Sequence, residues 1–467
     1  MTSSETTRPE LLESLRDAVR AGFPSAVADL SRLVRIRSVS APAFDPQHVS
    51  DSADAVAALV RELGVFDSVE ISRATIGSTE TLGQPAVLAT RAARNGRPTI
   101  LLYAHHDVQP PGRDEDWESS PFEPTARGDR LYGRGAADDK AGVMAHVASI
   151  RALIETVGPE FDLGLGLYIE GEEEIGSPSF ANFLTKHQQQ LGADVIVVAD
   201  SDNWDTATPA LTVGLRGNVT FNVSIRTLEH ASHSGMFGGA VPDAMLAMIK
   251  LLGSLYNDDG SVAVDGLTER DAETPAYDEA QLRHEAALLD GVTPIGSGTI
   301  LSRIWSKPAI TITGIDAVSV ANASNTLAPE LRARISVRVA PGQQASEAYV
   351  AIEKHLTAHT PFGAQLEIGD VDRGNGFLVD TSAWAVAEAK TSMTDAWGVE
   401  AVEMGVGGSI PFIADLVELF PSAQILVTGV EDPDSRAHSP NESLHLGVFQ
   451  RAILTEAVLL ARLNERA

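Results

Sequence analysis

The stretch Thr99–Asp107, TILLYAHHD, is an apolar run that stops abruptly on His105, His106 and Asp107. Two later stretches follow the same plan: Leu163–Glu174 is LGLGLYIEGEEE and Val195–Asp202 is VIVVADSD. Each apolar run has the length of a strand buried on both faces. Helical patterns at about Lys140–Thr156 and Ser179–Gln190 lie between them. This alternation predicts an α/β catalytic domain, with a mainly parallel sheet and helices on both faces. In such sheets ligands bind beyond the carboxyl ends of the strands, so the three ionisable clusters are expected to converge on one crevice. Any one cluster alone reads as an ordinary solvated charge run. Its recurrence after three strands points to a site, and imidazole with carboxylates suits zinc, manganese or a related divalent ion.

Upstream of Thr99 the pattern is helical. A first helix is expected from Pro9 until Gly22 and Pro24 end it, a second over about Ser25–Ile36 and a third over Asp51–Leu63. Downstream the style changes near Gly214. Asn218–Arg226 (NVTFNVSIR) and Glu330–Arg338 (ELRARISVR) alternate apolar and polar residues, as strands with one wet face do. Helices are expected over Val241–Tyr256 and Ala345–His359. After about Thr381 the first style returns, with a helix to Trp397, a strand Gln424–Thr428 and a terminal helix from Leu444. The expected division is a catalytic domain over 1–213 and 382–467, interrupted by an inserted α+β domain over 214–381.

A chain of 467 residues suffices for more than one core. Its net charge of −29 argues against nucleic acid or an anionic membrane surface as a partner. The absence of cysteine excludes disulfides, thiolate catalysis and iron–sulfur clusters together. No run approaches the roughly 18 apolar residues of a membrane span, and the start lacks a signal core, so a cytoplasmic protein is expected.

The glycine-rich segment Gly133–Gly142, GRGAADDKAG, invites comparison with a phosphate cradle. Asp138 stands where the sixth position of that motif should be glycine, and a carboxylate there favours a cation. No GxSxG elbow for a serine hydrolase is present. His105-x-Asp107 has the spacing at which a carboxylate can steady a metal-bound imidazole.

In order along the chain come YAHHDVQPP, LYGRGAADDKAG, EGEEEIGS, VADSDNW, GLRG, HSGMFGG, VRVAP, GGSIP and AHSPNE. Together these blocks resemble the dinuclear-zinc dipeptidase family, of the cytosolic nonspecific dipeptidase and carnosinase type. Glutamate carboxypeptidase, aminoacylase and succinyl-diaminopimelate desuccinylase are its more distant members. The resemblance covers about Ser25 to Arg462. It implies hydrolysis of the peptide bond of dipeptides by metal-activated water.

By that resemblance His105, Asp138, Glu174, Asp200 and His438 are the metal ligands, with Asp138 bridging two ions, zinc ahead of manganese or cobalt. Glu173 is the general base and Asp107 orients His105. His233 reaches a partner subunit's site, while Arg338, Asn325 and Ser409 hold the substrate. The insertion is then a lid and dimerisation domain of a homodimer. Two dications against three ligand carboxylates leave one positive charge, which favours hydroxide near neutral pH. Departures from the family pattern are Ala104 and His106 flanking His105, Gly405-Val406 before GGSIP, and no histidine in Gly374–Thr381. The first bears on packing and not on ligation; by the resemblance the other two fall near the substrate and bear on side-chain preference. Two other readings compete: an N-acyl or N-succinyl amino acid deacylase with the same metals, and a non-catalytic binding protein on the same fold. The latter should have lost ligands, and none of the five is missing.

Overall fold

The structure, a computed structural model, describes residues 7–271, 274–407, 413, 416–417 and 419–466. The chain forms two compact units: Met1–Val213 with Val379–Glu403 and Asp415–Ala467, and Gly214–Leu378 with Met404–Ala414.

In the first unit, helices α1 (Pro9–Val34) and α2 (Gln47–Glu62) lead into strands β1 (Ser68–Ser72), β2 (Ala86–Arg91) and β3 (Thr99–His105). Helix α3 (Lys140–Val157), strand β4 (Gly164–Glu170), helix α4 (Phe180–Leu191) and strands β5 (Val195–Val198) and β6 (Ala210–Leu215) follow. Helix α5 (Trp384–Trp397), strand β7 (Gln424–Val427) and helix α6 (Leu446–Glu465) also belong to it, as does a separate three-stranded sheet of Thr125–Arg127, Arg130–Tyr132 and Ser443–His445. The strand order is β1-β2-β4-β3-β5-β7-β6. The middle pairs β4–β3, β3–β5 and β5–β7 are parallel. The flanking pairs β1–β2, β2–β4 and β7–β6 are antiparallel. The expected parallel sheet is therefore the centre of a wider mixed one.

Both faces of that centre are apolar because alternate side chains go opposite ways. Ile100, Leu102 and Ala104 of β3 join Leu165, Leu167 and Ile169 of β4 in the core that also holds α1, α3 and α6. Tyr103 and Tyr168 point to the other side. There the Tyr168 ring stacks on Phe183 of α4 at 4.8 Å and meets Phe180 at 5.9 Å.

One expectation fails. Gly22 and Pro24 do not break the N-terminal helix; α1 is continuous over 26 residues with Pro24 inside it. A mid-helix proline costs roughly 3 kcal/mol. Helix α1 buries Leu15 and Val19 before the proline and Leu30, Leu33 and Val34 after it. At about 1.5–3 kcal/mol for each large side chain, that burial outweighs the lost bond.

The second unit holds a four-stranded antiparallel sheet, ordered Ala309–Asp316, Glu330–Val339, Gly217–Arg226, Gln365–Gly374. Val219, Phe221, Val223 and Ile225 alternate with polar residues and pack with Ile335 and Val337 under helices Ala244–Gly253 and Ala345–His359. Among the described residues, no helix is long and apolar enough to cross a membrane.

Candidate metal centre

Parallel pairing puts the ends of β3, β4 and β5 on one edge of the sheet. Register aligns His105 with Glu170, and Tyr103 with Val198, so Asp200 falls level with His105. The three clusters meet there. His105 is 1% exposed; its Nε2 lies 3.1 Å from Asp138 Oδ1 and 3.9 Å from Asp200 Oδ1. On its other side Nδ1 lies 3.1 Å from the Asp107 carbonyl and 3.4 Å from that residue's carboxylate. Against the pull of burial, the hydrogen bonds to Asp107 and Asp138 raise the His105 pKa well above its usual value, so Nε2 also carries a proton toward Asp138. With Nδ1 held by Asp107, giving up that Nε2 proton leaves the tautomer a metal ligand needs.

The Asp107 carboxylate also accepts the backbone N–H groups of Glu173 (3.2 Å) and Glu174 (3.1 Å). One residue thus fixes both the imidazole and the short turn that presents the two glutamates. His106, the second histidine, turns away. It is fully buried with Nε2 2.9 Å from the Pro85 carbonyl, and burial lowers its pKa to about 4.

Asp138 sits between two imidazoles. His438 Nε2 lies 2.9 Å from Asp138 Oδ2 and 3.3 Å from Glu174 Oε2. Ligand atoms of His105, Asp138 and Glu174 lie within 4.8 Å of one another, as do those of His105, Asp139 and Asp200. Asp139 is an addition to the sequence reading. Its two oxygens already accept backbone N–H groups, from His105 at 3.1 Å and from Gly142 at 3.1 Å at the start of α3, so it acts as a brace.

The electrostatics show what the arrangement lacks. Burial, reinforced by Asp200 and Glu174, pushes the Glu173 carboxyl well above its usual range, against the pull of His105. Burial and then Asp138 raise Glu174, and burial raises Asp200 to about 7 although His105 opposes it. Burial would raise Asp138 as well, but hydrogen bonds from His105 and His438 hold it low. In turn Asp138 and Glu174 lift His438 to about 10. Two imidazoles do not balance this many buried carboxylates, and buried charge of one sign calls for a counter-ion. Nitrogen and oxygen donors converging without sulfur fit a divalent cation.

Three residues that matter here stood inside quoted sequence blocks without a role. Gln109 donates from its backbone to Glu174 Oε1 at 2.9 Å and from Nε2 to Oε2 at 2.6 Å. Lys140 is fully buried, and its ammonium donates to the carbonyls of Leu33 (2.9 Å) and Ile36 (2.7 Å) at the end of α1. Burial lowers its pKa to about 7, with Glu442 and Asp107 opposing. Glu442, also fully buried, lies behind Asp138.

The remaining site candidates belong to the second unit. His233 pairs with Thr326 in a short antiparallel ladder, and the Asn325 carbonyl accepts the N–H of Ser234 at 2.9 Å, so His233 and Asn325 are neighbours. The His233 ring is exposed. Its Nδ1 accepts the Gly235 N–H at 3.0 Å, which places the ring proton on Nε2 as an outward donor. Arg338 stands on Glu330–Val339 opposite Asn218. Nearby Arg216 of the GLRG block donates to the Gly407 carbonyl at 3.2 Å; burial, then the Arg338 charge, lowers its pKa to about 10. Ser409 lies outside the described residues.

Comparison with known proteins follows the same direction. The family model described as "Peptidase family M20/M25/M40" matches residues 101–462. A cysteinylglycine-S-conjugate dipeptidase from Corynebacterium striatum is 33% identical over 441 residues, covering 92% of this chain and 94% of that protein. A human beta-Ala-His dipeptidase is 27% identical, covering 95% of this chain and 91% of its own. The solved structure of the di-peptidase Dug1p from Saccharomyces cerevisiae superposes with a TM-score of 0.76 at 23% identity, covering all of both chains, which establishes a shared fold.

Proposed function

The chain belongs to peptidase family M20/M25/M40, and from that premise we propose that it hydrolyses the peptide bond of small dipeptides at a pair of divalent ions, zinc in the first instance. The observation that carries this reading is Asp138, with an imidazole on each of its two oxygens and Glu174 and Asp200 gathered with it around His105. His105 and Asp200 would hold one ion and His438 and Glu174 the other, with Asp138 between. The ions would supply Lewis-acid activation of the scissile carbonyl and of water.

The chain's own groups do the rest. Glu173 takes a proton from the attacking water and hands it to the leaving amine; its buried surroundings favour the protonated form it must pass through. Asp107 keeps His105 in one tautomer and keeps Glu173 and Glu174 in place through their amides. Arg338 and Ser409 are proposed to hold the substrate carboxylate, with Asn325 binding the substrate nearby. A cytoplasmic homodimer, assembled through the second unit, completes the reading.

Incubating the protein with a panel of free dipeptides, including Cys-Gly and β-Ala-His, beside N-acetyl and N-succinyl amino acids tests it directly. Release of free amino acids from dipeptides is expected. Turnover confined to the acylated set would replace this reading with that of a deacylase.

We further propose that His233 donates from Nε2 to the developing oxyanion in the partner subunit's site. Removing one such donor typically costs ~10²–10³ in turnover, so His233→Ala should fall by that factor with ion content unchanged. Mixing His233→Ala with Glu173→Gln should then restore activity. After random subunit exchange half the dimers are mixed and each has one sound site, giving up to about a quarter of wild-type activity. Mixed dimers verified by mass spectrometry yet still inactive would assign His233 to its own chain or to no catalytic role.

A further inference from the structure

Glu442 follows His438 by four residues, and its carboxylate is wholly enclosed, at 0% exposure. Four donors converge on its two oxygens. Oε1 accepts the backbone N–H groups of Ala137 (3.0 Å) and Asp138 (3.1 Å). Oε2 accepts that of Gly135 (3.1 Å) and the guanidinium of Arg134, itself 1% exposed. The Glu442 backbone carbonyl takes a further N–H, from Gly133 at 3.0 Å. The whole turn Gly133–Asp138 is thus gathered on one residue. That residue sits on the same short segment as His438, whose ring touches Asp138 at 2.9 Å.

We propose that Glu442 is the positioning residue of the metal site: it fixes the backbone of Asp138 and its distance from His438, and so sets ion affinity without touching an ion. The inference rests on the proposed ligand role of Asp138. A carboxylate is needed here because every group facing it is a donor. The amide of a glutamine would turn an NH₂ toward either Arg134 and Gly135 or Ala137 and Asp138, leaving donor against donor in a buried place.

The test measures Zn²⁺ affinity by competition with a chromophoric chelator, on the full-length protein well below its melting temperature. Glu442→Gln should weaken Zn²⁺ binding by ~10–100-fold, the usual effect of losing a partner that orients a ligand. Glu456→Gln is the control for mere loss of a buried carboxylate. Glu456 is 6% exposed and bonds His146 at 2.8 Å and Ser149 at 2.6 Å, away from Asp138. It should lower the melting temperature with Zn²⁺ affinity unchanged. Asp138→Asn is the reference for the ligand itself. If Asp138→Asn loses Zn²⁺ but Glu442→Gln binds it as wild type does, the positioning role is overturned. If both bind normally, the metal reading of Asp138 fails instead. Should Glu442→Gln not fold, Glu442→Asp keeps the charge against Arg134, falls one methylene short of the amides, and is read by the same affinity shift.

Discussion

Glu173→Gln should lower kcat by up to about 10⁴-fold, the upper end for losing a general acid–base group, while ion content stays at the wild-type value. The amide is nearly isosteric with the acid but cannot take a proton from water. Nothing else in the turn should change, because Asp107 holds residue 173 through its backbone N–H and not through its side chain. KM should move little if the side chain acts on the proton alone. Glu174→Gln makes the contrast: its side chain lies 3.3 Å from His438 and is braced on both oxygens by Gln109, so this change should lower ion content along with kcat. Steady-state kinetics together with metal analysis of each variant decide the matter. Ion loss in Glu173→Gln with retention in Glu174→Gln would exchange the two roles.

Removing the ions should be equally severe. Dialysis against a strong chelator is expected to abolish turnover, and adding back Zn²⁺ or Mn²⁺ to restore it. Metal analysis of the active protein should approach two ions per chain. The loss should extend to stability, because without cations the buried Glu173, Glu174 and Asp200 carboxyls are pressed together and pushed toward protonation. A ligand present at a hundred times its Kd stabilises the folded state by about 2.7 kcal/mol, so the stripped protein should melt measurably earlier. Full activity in metal-free protein would refute the metal reading altogether.

The middle of the fold was legible because β3, β4 and β5 are buried on both faces and read as uninterrupted apolar runs. Their shared direction turned three separate clusters into one edge. The flanks were not legible: β1 is half exposed, β2 is buried but ends on charged Arg91, and both pair antiparallel with partners that no local pattern reveals. The continuity of α1 was hidden for a related reason. Gly22 and Pro24 are local stop signals, and the packing of Leu30, Leu33 and Val34 that overrides them is tertiary.

At the site, ligand types and spacings were visible, whereas the bracing was not. Asp139, Gln109 and Glu442 all lie in segments that the reading singled out, yet their work is done by side-chain hydrogen bonds to residues as far as 308 positions away. Residue type alone could not separate His105 from His106. The Pro85 carbonyl separates them, by drawing the second ring into the core.

Lys140 turns this architecture into a built-in reporter. Its amine is sealed against the last carbonyls of the N-terminal helix, whereas Lys186, Lys250 and Lys354 stand in solvent. An acylating reagent applied to the native protein will mark those three at once and reach Lys140 only in molecules where the helix end has swung away. The slow appearance of that one adduct counts opening events. Because Lys140 adjoins Asp138 and Asp139 in sequence, each event it records is expected to loosen the backbone at the proposed metal site as well. Trimming the first thirty-odd residues to make a shorter protein would therefore leave a buried ammonium without acceptors beside the proposed metal site.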